Sequence, residues 1–478
     1  MKLRSAFPVL LTCTLLASCK VAPPVQTPEA KALPSSFLLP GDSTRNSAEV
    51  PWKEFFDDPN LLAVIEEGIA NNLDLRMALQ RIDMAQASVR VAKGAFFPTL
   101  SAGAAVGQRK FGEYTMDGIG NYDTNFSTNL PPEKRVPEHL PDYWLGVQST
   151  WEIDLWGKLR NQKKSAMARF LASEKGRQLI VTTLVAQIAR NYYELIALDN
   201  ELLILQQNII LQQTAVDLIN AQKAAGRATE LAVKQFTAQL LNTRSREAML
   251  RQMIVHSENQ INLLLGRFPQ PVPRGRPILE QPMPREIQAG IPAQLLVRRP
   301  DIAQAELRLE AARYDVKAAR AAFFPSLSIT SSLGLQSFRP EKFFNTPGSV
   351  AYSAFGGLTA PVFQRNLLKA DYQRAGAAQL ELFYDYQKLV INGFQETVTG
   401  LQRIENLQNA STFKQQEVTT LQEAVSTSND LYVAGLASYL EVILAQKNVL
   451  EAELELAETR KEQFFSVIDL YRALGGGW

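Results

Sequence analysis

Residues 323–337 read Phe-Phe-Pro-Ser-Leu-Ser-Ile-Thr-Ser-Ser-Leu-Gly-Leu-Gln-Ser. From Leu327 the side chains alternate: Leu327, Ile329, Ser331, Leu333 and Leu335 fall on one side, and Ser328, Thr330, Ser332, Gly334 and Gln336 on the other. A period of two predicts a strand with one apolar and one polar face. The stretch has an echo in residues 96–107, Phe-Phe-Pro-Thr-Leu-Ser-Ala-Gly-Ala-Ala-Val-Gly. Working outward, Asp74-Leu75 maps onto Asp301-Ile302 at the same offset that takes Phe96 to Phe323. Further on the offset shortens: Gly226, Leu231 and Val233 map onto Gly435, Leu440 and Val442, and Leu265-Gly266 onto Leu474-Gly475. The chain is one structural unit written twice, the first copy longer by about eighteen residues between its first strand and its long helix.

Four strands are expected: about Leu100–Gln108, Tyr143–Glu152, the opening stretch, and Ser349–Thr359, whose alternation is weak. A loop rich in Gly, Asn and Pro joins the first pair over Arg109–Asp142, and a shorter one spans Phe338–Gly348. Prolines mark the helices by their absence. The chain holds 25, yet none lies between Asp142 and Phe268, between Asn60 and Phe97, or after Pro361. A proline inside a helix costs about 3 kcal/mol, so these gaps predict very long helices. Val181, Val185, Ile188, Tyr192 and Leu195, then Leu198, Leu202, Leu205 and Ile209, form a heptad seam with one stammer. A helix from Lys158 to Lys223 would reach about 100 Å. Gly226 and Gly435 fall where such helices must reverse, each preceded by alanine and followed by a fresh heptad run.

The totals exclude several function classes. Fifty basic against 48 acidic residues give a net charge of +2 with the signs interspersed, which does not suit a nucleic-acid backbone. The two histidines, His139 and His256, have no second ligand type near them in sequence. No nucleophile constellation, phosphate loop or dinucleotide motif appears, so no enzyme, cofactor or metal site is expected. Both cysteines, Cys13 and Cys19, lie in the first nineteen residues. Lys2 and Arg4 precede an apolar run from Val9 to Ala17, the pattern of a signal peptide over residues 1–18. Leu16-Ala17-Ser18-Cys19 resembles a bacterial lipobox, which implies cleavage before Cys19, lipid on its sulfur and, with Lys20 following, sorting to the outer membrane. The alternative is an ordinary secretory signal with an incidental cysteine.

No apolar run after the signal is long enough for a membrane helix, so any crossing must use strands. Open strands cannot stay in lipid, because their edge amides go unpaired. Four strands are too few to close; two chains would give eight and a filled lumen, three would give twelve and a channel. The polar face of the opening stretch favours three. The expected organisation is an extended arm over 19–59, a first repeat over 60–266, a Pro-rich connector over 267–298 and a second repeat over 299–478.

These residues together resemble a known family. The lipobox, Trp52 with Phe55-Phe56-Asp57, Asn72-Leu-Asp-Leu-Arg76, the two Phe-Phe-Pro strands and Trp151-Glu-Ile-Asp-Leu-Trp-Gly-Lys158 contribute. Arg298-Arg-Pro-Asp-Ile302 and the terminal Ala473-Leu-Gly-Gly-Gly-Trp478 complete the likeness to the lipoprotein outer-membrane factors of the TolC/OprM type. The resemblance implies a mainly α, mixed α and β fold: a homotrimeric channel-tunnel with a twelve-stranded β-barrel, a long periplasmic coiled-coil α-barrel and an equatorial belt that includes the connector. It implies the exit duct of a tripartite multidrug efflux pump, with a periplasmic membrane-fusion adaptor and an inner-membrane RND-type transporter as partners.

In such channels the periplasmic tip closes on its inner helices, and carboxylates and apolar side chains narrow it. Tyr432, three residues before Gly435, matches a tyrosine of the family tip. The carboxylate expected nine residues after that glycine is replaced by Leu444, and Glu441 is the acid available on the same face. The resemblance therefore assigns Tyr432, Leu440, Glu441 and Leu444 to the gate, with three Glu441 carboxylates favouring cations and raising one another's pKa. A solvated helix charge is the alternative for Glu441. Gly226, Arg227 and Gly435 are the expected adaptor contacts; Arg227 and Glu230, just past the first tip, suit polar links that lock closed hairpins and equally suit ordinary surface charges near helix ends. Trp151, Trp156, Phe96, Phe97, Phe323, Phe324 and Phe363 suit an aromatic girdle or packing at the strand–helix joint. The same architecture would serve type I protein secretion or metal-ion export, and a non-channel reading is a structural coiled-coil surface lipoprotein.

Overall fold

The computed structural model describes residues 25–37, 46–284 and 288–478. The signal peptide and Cys19 lie outside the described residues. The elements run α1 (Pro59–Asn71), α2 (Leu73–Gly94), β1 (Thr99–Lys110), α3 (Met116–Phe126), β2 (His139–Ile153), α4 (Lys158–Ala224) and α5 (Glu230–Leu264). The second half follows as α6 (Ala293–Arg298), α7 (Pro300–Ala321), β3 (Ser326–Ser337), β4 (Val350–Thr359), α8 (Leu367–Val433) and α9 (Tyr439–Ala473). The described residues divide into two compact units, the first from residues 25–27, 85–170 and 309–382, the second from the remainder.

The first unit holds one four-stranded antiparallel sheet in the order β1-β2-β3-β4. Its register aligns the period-two patterns of all four strands. Ala102 faces Val147, which faces Leu333, which faces Tyr352; the row above reads Ala104, Leu145, Leu335, Val350. Alternate rows are small or polar: Ser101, Gln148, Ser332 and Ser353 form one, and the two serine hydroxyls are 2.7 Å apart. A one-residue slip would mix the two faces, so the patterning itself specifies the register. For β4, whose alternation is weak, pairing decides: Tyr352 joins the apolar face, and Phe355, opposite Thr330, joins the polar one.

Two sequence expectations need correction here. The Arg109–Asp142 segment is not all loop, since it contains α3 and β2 begins at His139. Pro141 is tolerated because β2 pairs with β3 only from Tyr143 onward, which leaves the proline on an edge. The helix expected to run unbroken from Asn60 breaks at Asn72. There the backbone leaves the helical region and the Asn72 side chain accepts the amide of Leu75, starting α2.

In the second unit the predicted seam is core. Val181, Val185, Ile188, Tyr192, Leu195, Leu198 and Leu205 are buried among Phe55, Phe56, Leu61 and Ile65 from the chain's start and Phe464, Ile468 and Tyr471 from α9. Phe55 stacks on Tyr471 at 3.9 Å and Tyr193 on Phe464 at 4.2 Å between ring centres. The arm contributes Phe37, fully buried against Phe394 with Leu295, Ile302, Leu470 and Leu474 around it.

The repeats start their long helices alike. Gly157 has φ +80° before α4, and its counterpart Asn366 has φ +64° before α8. In the first copy Asp154 also accepts the amides of Leu159 and Arg160; Phe363 stands at its place in the second. Asparagine tolerates the left-handed region and a β-branched residue does not. Asn366→Val should therefore cost about 1–2 kcal/mol in thermal unfolding while Asn366→Gly stays near neutral. Equal melting of both variants would refute the assignment.

Candidate functional site

The two helical hairpins of the second unit turn in the same way. After α4, Gly226 takes φ +73°, its amide donates to Lys223 O (2.9 Å), and the Arg227 amide donates to Gln222 O (2.8 Å). After α8, Gly435 takes φ +75°, with Gly435 N to Tyr432 O at 3.1 Å and Leu436 N to Leu431 O at 2.9 Å. Both are Schellman turns, and a Cβ on either glycine would meet open space, so φ and not crowding requires glycine. Three residues on, Thr229 and Ser438 cap the returning helices through their hydroxyls.

Identical turns carry different chemistry. The first is polar: Lys223 pairs with Glu230, which also lies 3.5 Å from Lys234, and these lysines hold the Glu230 carboxyl below its ordinary pKa. The second is apolar and open to solvent. Val433 and Leu436 are 85% and 78% exposed, and Leu440 and Leu444 about half exposed. The Tyr432 hydroxyl donates to the Gln222 side-chain oxygen, tying the second turn to the first. Behind that link Tyr439 and Ile443 pack on Val216, Ile219, Ala232, Val233, Phe236 and Leu240.

Glu441 is the third residue of α9, and its carboxylate folds back to accept the Ser438 amide at 2.9 Å and the Ser438 hydroxyl. With the Ser438 hydroxyl donating to the carboxylate and the Leu440 amide to the hydroxyl, this is a capping box. The Ser438 side chain is the main reason the Glu441 carboxyl sits below the usual pKa. Within one chain this carboxylate is engaged as a helix cap. Sequence reasoning read Glu441 as an available acid and missed the cap, although Ser-x-x-Glu is its signature. It also missed Gln222, which only tertiary packing brings to Tyr432.

The opposite end of each hairpin shows how the repeats are fastened. The Asn72 amide donates to Leu264 O at 2.8 Å, at the last turn of α5. Its counterpart Arg299 donates to Ala473 O at 3.1 Å, at the last turn of α9. Leu264 and Ala473 are themselves repeat counterparts. Gly266 and Gly475 end the two helices with φ +65° and +93°. Among the joint aromatics, Trp151 Nε1 donates to Phe96 O (2.9 Å) and Trp156 Nε1 to Pro325 O (2.7 Å), with Trp156 stacked on Phe324. These contacts tie the strand ends together. Among the described residues no group of three or more His, Cys, Asp or Glu could hold a metal, and no helix is long and apolar enough to cross a membrane.

Comparison with known proteins places this architecture. Residues 64–267 and 291–476, the two repeats, match the Outer membrane efflux protein family. The chain is 30% identical to the pyoverdine export outer membrane protein OpmQ of Pseudomonas aeruginosa, over 98% of this chain and 96% of that protein. It is 27% identical to the cation efflux system protein CusC of Escherichia coli O6:H1, over 97% and 96%. A crystal structure of a membrane protein from Pseudomonas aeruginosa superposes with a TM-score of 0.83 at 26% identity, covering 96% of this chain and 97% of that one. Four antiparallel strands, two repeats and long helical hairpins are thus shared along nearly the whole length. The chain belongs to the Outer membrane efflux protein family and is a non-enzymatic outer-membrane channel component of a tripartite efflux pump.

Proposed function

We propose that three copies close a twelve-stranded barrel, anchored through lipid on Cys19, and release small molecules delivered by a periplasmic adaptor and an RND-type transporter. The observation that carries this reading is the sheet. Four strands share one apolar and one polar face in a single register, and the edges β1 and β4 pair with no other strand among the described residues. In a bilayer those edges require another copy. Three copies put Gln148, Ser332 and Ser353 into a wet lumen. Native mass spectrometry of the detergent-purified protein should count three subunits; a stable monomer that keeps its sheet would overturn the reading.

The hairpin turns are the gate and docking end of this channel. Gly226, Arg227 and Gly435 form the rim that meets the adaptor. The exposed apolar side chains at Leu440 and Leu444 gain a partner when three second hairpins converge on the axis. The link from Tyr432 to Gln222 holds each second hairpin to the first, in the closed position. A hydrogen bond contributes about 1 kcal/mol, so Tyr432→Phe in three subunits should move the open-to-closed ratio by roughly a hundredfold. Planar-bilayer recordings would then show a leak that the wild type lacks, and unchanged current would refute the latch.

Glu441 has two separable roles. As a ring it would confer cation preference; as a cap it holds the turn. Glu441→Gln keeps the oxygen acceptor of the cap but removes the charge. We expect cation selectivity in reversal-potential measurements to fall toward unity with the turn intact. Unaltered selectivity would leave Glu441 as a cap alone. Small-molecule cargo accords with the Gly-Gly-Gly-Trp end and with the pyoverdine export that the name of OpmQ states for that protein; the metal-ion alternative, for which the name of CusC states only cation efflux, is tested by whether deletion sensitises cells to copper or silver.

A further inference from the structure

Helix α3, inside the β1–β2 connection, is amphipathic the wrong way round for a lone chain. Its polar side faces its own chain, where Asn121 donates to the carbonyls of Pro137 (3.1 Å) and Glu138 (3.3 Å) and Glu138 pairs with Lys110. Its apolar side faces outward: Met116, Ile119, Tyr122 and Phe126 recur at helical spacing, and Met116 is 92% exposed. Tyr122 and Phe126 rest ring to ring at 4.5 Å. A groove of about 460 Å³ runs beside them, lined by Phe111, Ile119, Tyr122 and Phe126 and by polar groups that include Lys110, Asn121 and Glu138. An exposed apolar stripe of this kind is a docking surface.

The topology says what covers it. Helix α3 follows the outer end of β1 by five residues, and β1 is one open edge of the sheet. The other edge, β4, begins at that same outer end, after the β3–β4 connector that carries Phe343 and Phe344. Phe344 is 75% exposed, held edge-on by Phe343 at 5.0 Å. Within one chain this connector is tied to the later part of the β1–β2 connection by Arg339 to Pro132 O (2.7 Å), and the adjoining strand ends by Gln336 of β3 to Asp142 of β2 (2.9 Å). Closing the sheet by pairing β1 of one copy with β4 of the next brings a second connector alongside α3. The charges agree: residues 111–126 hold Glu113, Asp117 and Asp123 with no basic residue, while the connector holds Arg339 and Lys342 against Glu341.

We propose that α3 is an intersubunit clasp whose apolar stripe receives Phe344 of a second copy of this chain, fastening the outer rim of the barrel. The clasp rests on the closed-trimer reading, and its test separates the two. Cys13 and Cys19 are the only cysteines, one in the signal peptide and one the lipid site, so introduced thiols report cleanly. An Ile119→Cys/Phe344→Cys double variant, oxidised in outer-membrane vesicles, should give covalent dimers and trimers on non-reducing gels, whereas each single variant gives monomer. Trimer by native mass spectrometry without this ladder, or a bridge within one chain, overturns the clasp and leaves the channel standing. Absence of trimer overturns the reading beneath it. A fluorophore on Ile119→Cys quenched by brominated phospholipid would assign the stripe to lipid and also overturn the clasp. Phe344→Ser should speed dissociation of the trimer in detergent at least tenfold, and an unchanged rate would count against it.

Discussion

Arg299→Leu should destabilise this subunit by about 3–5 kcal/mol, the usual cost of removing one partner from a buried ionic cluster. The Arg299 side chain is 5% exposed. Its guanidinium donates to both Asp301 oxygens (3.0 and 2.6 Å), to Glu396 (2.7 Å) and to the carbonyl of Ala473. Burial works against the charge, but Asp301 and Glu396 outweigh it and hold the pKa above the ordinary arginine value. Leucine would fill part of the space, take the donor from the Ala473 carbonyl, and leave Asp301 with only the Ile302 amide and Glu396 with only Arg472 at 3.7 Å. Arg299→Lys keeps the charge and loses the planar fork, so it should fall between. At the equivalent place in the first repeat the donor is the neutral Asn72, and Asn72→Ala should cost only about 1 kcal/mol. The ranking Leu, Lys, then the Asn72 variant would be read from thermal unfolding and protease resistance. A wild-type melting curve for Arg299→Leu would show that the cluster is not a fastening.

The second large effect is expected in the sheet. A Cβ on Gly334 would lie 2.4 Å from the carbonyl oxygen of Leu145 and 2.7 Å from the Cα of Gly146; one on Gly146 would lie 2.5 Å from Leu333 O. These obstacles are backbone atoms of the paired strand and cannot rotate away. Glycine is needed here for close approach, on a row that crosses the sheet as Gly103, Gly146, Gly334 and Ala351. The Trp144 ring lies over this row, 3.3 Å from where a Cβ on Gly103 would be. Gly334→Val should break the central β2–β3 pairing and reduce assembled protein in the outer membrane by roughly an order of magnitude, since overpacking that moves backbone costs a few kcal/mol. Gly356→Ala and Gly357→Ala, which meet open space, are the controls and should assemble normally. If all three variants assemble alike, the close approach has no energetic weight.

Much of this was legible in the residues. The alternation from Leu327, its echo after Phe96 and the proline gaps yield the four strands, the long helices and the duplication. The heptad seam from Val181 lands on the core as far as Leu205, with Leu202 half-buried against it and Ile209 packed on the separate cluster around Val216 and Phe236. The turns at Gly226 and Gly435 are where a helix of that length has to stop. Membership in an efflux channel family removes the reading of a pore-free surface lipoprotein, which the polar strand faces had already spoken against.

What sequence alone determined is what depends on neighbours along the chain. Side-chain period separates strand from helix, proline marks where a helix cannot run, and glycine marks where it must turn. What only the tertiary structure decided depends on two segments meeting. Nothing local in Asn72 or Arg299 shows that each holds the last turn of a helix well over a hundred residues away. The face of β4 came from its pairing with β3, because its own pattern was too weak to choose. Phe37, in an arm with few large apolar groups, found a socket built by residues from the connector and the second repeat. Helix α3 turned its apolar stripe outward because Asn121 found its partners at Pro137 and Glu138. In each case the deciding energy is close packing or a buried polar contact between distant segments. Such energy exists only once both partners are in place.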